Sequence, residues 1–131
     1  MDAVPLRLNP GDDLRAALDA ALAAQPCAAG FVIAGIGSLS AARLRLAGAD
    51  EAQLLSGDLE ILTLSGSLSP DGSHLHMSIA DANGSVLGGH VAPGCIVRTT
   101  AELLVAWLPE WRFSREPDAL TGYAELVARK A

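Results

Sequence analysis

From His74 to Ile79 apolar and polar residues alternate. Leu75, Met77 and Ile79 fall on one face of an extended chain, and His74, His76 and Ser78 fall on the other. Asp81-Ala82-Asn83-Gly84 follows, with Asp first and Gly fourth, the signature of a type I turn. Such a turn, ended by a left-handed Gly, closes a three-residue hairpin loop with a bulge. It pairs Asp81 with Ser85, Ile79 with Leu87, Leu75 with Val91 and His76 with His90. A two-residue loop at Asn83-Gly84 would shift every partner by one and set His90 opposite Met77, on the apolar face. The first register gathers Leu75, Met77, Ile79, Leu87 and Val91 on one face. It also gathers all 3 histidines of the chain on the other.

The remaining pattern predicts mostly strands. Ala3 to Leu8 is a short first strand, ended by Asn9-Pro10-Gly11. Asp12 and Asp13 then favour a helix N-terminus, and Leu14, Ala17, Leu18, Ala21 and Leu22 form the stripe of one long amphipathic helix, stopped by Pro26. Ala29 to Ser38 is a buried strand. Its Gly35-x-Gly37 lacks the further residues of a phosphate-binding loop and serves close packing or a turn. Ala41 to Ala47 is a separate half-exposed strand, with Leu44 and Leu46 alternating with Arg43 and Arg45, and Gly48 to Gln53 is a polar connection. Asp58 to Leu68 is apolar on both sides over Leu59 to Leu64, which suits a central strand. The turn at Pro70-Asp71-Gly72 pairs it antiparallel with the first histidine strand. Cys95 to Leu108 fits either period, and its β-branched start selects a strand. Trp111 to Arg115 is a further edge strand, and Asp118 to Ala128 a turn plus a short C-terminal helical segment. The fold class is α/β (α+β): a mixed, mostly antiparallel sheet in a single domain over 1–131.

Composition narrows the partners. A formal charge of -6 from 9 basic and 15 acidic residues argues against binding nucleic acid by neutralising phosphates. No apolar run is long enough to span a bilayer, and no secretory leader pattern opens the chain, so a cytoplasmic location is expected. Cys27 and Cys95 are too few and too far apart for a disulfide framework or a paired-cysteine metal knuckle. Each reads as a buried or half-buried thiol, with Cys95 as a metal ligand the lesser alternative.

Three neutral imidazoles on one rigid hairpin make a zinc site with one position open for water or substrate. His74, His76 and His90 are therefore the candidate ligands for Zn²⁺ or a similar divalent ion. The competing reading is a solvated strand face. Gly88-Gly89, beside His90, allows a ligand or another backbone to come close, or marks a simple bulge.

Several stretches together resemble the PPC domain, found alone in bacteria and archaea and behind AT-hooks in plant nuclear proteins. They are Gly57-Asp58-Leu59-Glu60-Ile61-Leu62-Thr63-Leu64-Ser65-Gly66-Ser67, His74-x-His76, Gly88-Gly89-His90, Thr99-Thr100-Ala101-Glu102 and Phe113-x-Arg115-x-x-Asp118-x-x-Thr121-Gly122. The resemblance implies a PPC-like α/β domain that assembles as a homotrimer. It also brings in the acetolactate decarboxylases, structural relatives that hold zinc with a His-x-His pair and a third downstream histidine, as His74, His76 and His90 are placed. Their chemistry adds a Glu and an Arg near the metal. Glu60, Arg98 and Glu102 are the candidates here, assigned by no motif, with a solvated or interface ion pair as the competing reading. The AT-hook through which the plant proteins bind DNA has no counterpart in this sequence. The expectation is a trimeric metal-binding protein with a possible small-molecule ligand at the metal. It is either an enzyme acting on a carbonyl compound or a non-catalytic binding or regulatory module.

Overall fold

A computed structural model describes residues 2–131. The elements run β1 (Asp2–Leu8), α1 (Leu14–Ala23), β2 (Gly30–Arg45), β3 (Gln53–Leu68), β4 (His74–Ala80), β5 (Val86–Val91), β6 (Ile96–Trp107), β7 (Trp111–Pro117) and β8 (Ala124–Lys130). Six strands form one sheet in the order β1-β6-β2-β3-β4-β5, with every strand pair antiparallel. The outermost strand, β5, curls back to pair with the end of β2 through Leu44↔Val91 and Arg45↔His90. The sheet thus closes around a core on its inner face.

Burial follows the predicted alternation. In β4 the buried residues are Leu75, Met77 and Ile79; in β6 they include Val97, Ala101, Leu103 and Val105. The helix α1 packs Leu14, Leu18 and Leu22 into the same core, and Asp13 caps it by accepting the Ala16 N–H at 3.0 Å. Twelve or more large apolar side chains removed from water at roughly 1.5–3 kcal/mol each supply the driving force. Among the described residues, no helix is long and apolar enough to cross a membrane.

Four expectations change. The helix is amphipathic but short, ten residues or about three turns. The two strands expected over 29–38 and 41–47 are one bent 16-residue strand, β2, whose irregularity between Leu39 and Ala41 carries the bend. Trp111 to Arg115 is not an edge of the main sheet, because β7 and β8 form a two-stranded sheet of their own, joined by an isolated bridge between Ala28 and Arg112. The C-terminal helical segment is strand β8. Ala124-Glu-Leu-Val-Ala-Arg-Lys130 is rich in helix formers, but pairing along all of β7 overrides that weak local preference.

On the outer face lies a row of cross-strand partners: Ala106, Phe31, Ser67 and His74. The β7–β8 hairpin packs over this row, with the Phe113 ring edge-on to Phe31 at a centroid distance of 5.7 Å. Elsewhere that face leaves Ile33, Ile36, Leu62 and Leu104 exposed.

Candidate metal centre

The hairpin β4–β5 has the register that the apolar pattern selects. Its ladder runs from Ala80↔Val86 through Ile79↔Leu87 and Met77↔Gly89 to His76↔His90. The Asp81 N–H donates to the Ser85 carbonyl at 2.9 Å and the Gly84 N–H to the Asp81 carbonyl at 3.0 Å. Gly84 sits at φ 80°, the left-handed conformation that this loop demands. The Asp81 carboxylate accepts the N–H groups of Asn83 and Ser85, both at 2.9 Å, which fixes the turn from inside. Val91, expected opposite Leu75, pairs instead with Leu44 of β2.

The three imidazoles meet on the outer face. Ring centroids lie 4.9 Å apart for His74 and His76, 5.4 Å for His74 and His90, and 4.6 Å for His76 and His90. One ligand atom from each residue lies within 4.8 Å of the other two. Tetrahedral zinc bonds of about 2.0–2.1 Å place neighbouring nitrogens roughly 3.3 Å apart, so the rings would draw closer together on holding such an ion. Protonation favours the same use. Burial holds His74 below the ordinary histidine value, helped by the charge of Arg115 and the other two rings. Burial likewise lowers His90, helped by Arg45 and His76. Both rings therefore remain in the neutral form that a metal requires at neutral pH.

Two glycines let the strands close around the site. A side chain on Gly66 would lie 2.0 Å from the His74 carbonyl oxygen, and one on Gly89 would lie 2.8 Å from the Arg45 carbonyl oxygen. Of the uses open to Gly88-Gly89, the one realised at Gly89 is the close approach of another backbone. It puts His90 beside both His76 and Arg45.

Arg115 arrives from the second hairpin. Phe113 and Arg115 share a face of β7, so docking Phe113 on Phe31 carries Arg115 over His74. Its Nη1 lies 3.4 Å from His74 Nδ1, and its Nη2 donates to the Ala124 carbonyl at 2.8 Å. The Asp71 carboxylate accepts the Arg115 backbone N–H at 2.9 Å and anchors the strand locally. Beside the histidines opens a cleft of about 510 Å³, lined by His74, His90, Arg15, Arg45, Arg115 and Asp71 among others.

Glu60, Arg98 and Glu102 are placed elsewhere. Glu60 is opposite Ala80 while Ser65 is opposite His76, so it sits roughly 13–16 Å along the ladder from the histidines. Arg98 lies 3.8 Å from Asp58 and 3.7 Å from Glu60, an ion-pair group with its Nε buried. Glu102 and Glu60 line a different pocket. Cys95 is fully buried, its Sγ accepting the Arg43 backbone N–H at 3.3 Å, and outside the histidine cluster; burial raises its thiol and disfavours the thiolate ligand form. The basic groups that do flank the histidines are Arg45 and Arg115. Arg45 is legible only through its pairing with His90, and Arg115 stood in the resemblance motif without a role.

Fold and site together define an antiparallel α+β domain carrying a three-histidine centre on its outer face. The model of the Plants and Prokaryotes Conserved (PCC, or PPC) domain matches residues 1–109, and the chain belongs to this family. A hypothetical protein from Salmonella enterica is 40% identical with a TM-score of 0.94, over 98% of this chain and 94% of that one. A protein from Archaeoglobus fulgidus described as metal-containing shares the fold at 24% identity and a TM-score of 0.80, over 97% of this chain and 94% of its own. Other structures of this fold are described as presumed DNA-binding proteins. The bifunctional protein GlmU of Synechococcus sp. (strain JA-2-3B'a(2-13)) is 57% identical over 122 residues, 93% of this chain and 19% of that protein. The chain spans about a fifth of the length of the curated relatives it matches.

Proposed function

We propose that this PPC domain assembles as a homotrimer in which His74, His76 and His90 of each chain bind one divalent metal ion, zinc by preference, open to a small molecule. The convergence of three imidazoles within 4.8 Å carries this reading, and the metal-containing Archaeoglobus relative supports it. A metal held by three imidazoles acts as a Lewis acid toward a carbonyl oxygen or lowers the pKa of bound water. The chain's own residues would fix the ring angles through the β4–β5 register and shape the adjoining cleft. Metal analysis of protein purified without added metal tests the reading: about one equivalent per chain is expected, and a metal-free protein that also fails to take up zinc would overturn it. The exposed apolar residues Ile33, Ile36, Leu62 and Leu104 support the trimer. Light scattering at micromolar concentration is expected to give about three times 13.4 kDa, and a monomer would refute it.

A second reading makes the domain a non-catalytic binding or regulatory module whose histidines stabilise fold or assembly. Its support is that a stretch 57% identical to this chain forms only about a fifth of the GlmU relative, as a module within a larger protein. A closed metal shell favours this reading and an exchangeable water favours the first. Under either reading the domain by itself does not recognise nucleic acid, given a charge of -6. Any association with duplex DNA is expected to be weak and abolished by modest salt.

A further inference from the structure

The cleft beside the histidines carries a charge pattern unlike the rest of the chain. Of 9 basic residues in a protein of net charge -6, three arginines from separate elements line this one cleft: Arg15 of α1, Arg45 of β2 and Arg115 of β7. Asp50 and Asp71 are the carboxylates there, and one Asp71 oxygen already accepts the Arg115 N–H. Guanidinium groups thus outnumber the carboxylates that line the cleft, and among the described residues outside its lining only Asp19, 4.0 Å from Arg15, and Glu125, beside Arg115, offset them. Like charges converging beside a metal repel unless an anion lies between them.

Arg115 shows where that anion belongs, an argument that rests on the metal reading above. A guanidinium only donates, so the 3.4 Å contact is a hydrogen bond in the tautomer that carries its proton on Nε2 and accepts at Nδ1. A metal held by His74 would end this contact at either ring nitrogen, because it would take the accepting lone pair on Nδ1 or, bound at Nε2, require a proton on Nδ1 facing the guanidinium donor. Nη1 of Arg115 would then be free, with Nη2 still donating to the Ala124 carbonyl. Arg45 stands on the opposite flank as the cross-strand partner of His90. The competing internal anion is Glu125, a loose 3.9 Å from Arg115 Nη2 and 44% exposed.

We propose that the metal-loaded cleft binds a small oxyanion, a carboxylate or phosphate group, with one oxygen at the open metal position and the others on Arg115 and Arg45. Planar guanidinium forks suit such a group, since they bind two oxygens at once. A cleft of about 510 Å³ takes a metabolite-sized molecule.

Cobalt(II)-loaded protein titrated separately with acetate and with inorganic phosphate tests this, read by calorimetry and by the visible cobalt spectrum. At least one is expected to bind the loaded protein, shift the spectrum and bind the metal-free protein at least tenfold more weakly; which one does so tells carboxylate from phosphate. Arg115→Gln and Arg45→Gln are each expected to weaken binding tenfold or more with metal content unchanged, and Arg115→Lys by less. Arg112→Gln, an exposed arginine outside the cleft, is expected to bind as wild type does. If Arg115→Gln misfolds by circular dichroism, Arg45→Gln decides. Loaded protein that binds neither anion, or arginine variants that bind as wild type does, overturn the proposal. A wild-type chain that takes up no metal fails at the earlier metal analysis and removes the foundation instead.

Discussion

The hairpins β4–β5 and β7–β8 are both tight antiparallel ladders, yet they are held in opposite ways. β4 lies between two other strands and buries Leu75, Met77 and Ile79 beneath it. β7 and β8 pair with each other, reach the segment before β2 through the Ala28–Arg112 bridge, meet β4 where Arg115 contacts His74, and bury Phe113 against Phe31 as their anchor. A ladder with one buried face cannot slip, because a one-residue shift would expose its whole apolar set. A ladder held by one buried aromatic ring and a few partly exposed polar contacts has more freedom. The three histidines, the candidate metal ligands, stand on the first hairpin; Arg115, whose Nη1 lies 3.4 Å from His74 Nδ1, stands on the second.

Ile79→Ala strikes the first hairpin at its buried face. It is expected to cost about 2–5 kcal/mol of global stability in denaturant melts, with Ile79 only 1% exposed. Val127→Ala, at a half-exposed position of β8, is expected to cost under about 1 kcal/mol. Equal costs at the two sites would remove the distinction between the hairpins.

His76→Ala comes next. Removing a ligand is expected to weaken metal affinity by at least about a hundredfold, the upper end of what altering a residue behind the ligands costs, while the denaturation midpoint of the metal-free protein stays put. His76 is exposed on the outer face, so its loss leaves no cavity in the core. Retained metal in this variant, measured by elemental analysis, would mean that the ion is held elsewhere.

Phe113→Ala cuts the anchor of the second hairpin. Amide hydrogens of β7 and β8 are expected to exchange at least tenfold faster than in wild type, with those of β4 and β5 unchanged. Uniform acceleration across both hairpins would show that they open together.

The same contrast governs what could be read in the sequence. Leu75, Met77, Ile79 and Leu87 name the β4–β5 register because each choice of partner changes which side chains are buried. Hence the histidine cluster was legible before any coordinates. The strand β8 carries no such signal: Glu125, Leu126, Val127 and Ala128 are all partly exposed, and their composition favours a helix. Arg115 was visible in a motif, but its partner His74 lies 41 positions away, and only the docking of Phe113 on Phe31 joins them. Glu60, Arg98 and Glu102 come from the resemblance alone, with no motif to assign them, and within the chain Glu60 sits at the other end of the β3–β4 ladder from the histidines.

The smallest expected effect is on pH dependence, where the two hairpins occupy different windows. In the metal-free protein His74 and His90 have folded values below the ordinary 6.5, owing first to burial. The unfolded chain then binds more protons than the folded one between those lowered values and 6.5. Stability is accordingly full above about 6.5 and declines as pH falls from there through the folded values. On β7, Glu116 is lowered from 4.5 to about 2, first by the hydrogen bond from Arg129 and then by that from Ser114. Its contribution is present above 4.5 and is lost as pH falls toward about 2. The Glu116–Arg129 pair is exposed, so salt screens it, whereas desolvation of the two histidines does not depend on salt. Melts across pH at low and high salt are expected to show the upper decline in both and the lower one weakened by salt. Substituting His74 and His90 together with Gln is expected to flatten the upper decline. An upper decline that survives this double substitution would assign the titration to groups outside the metal centre.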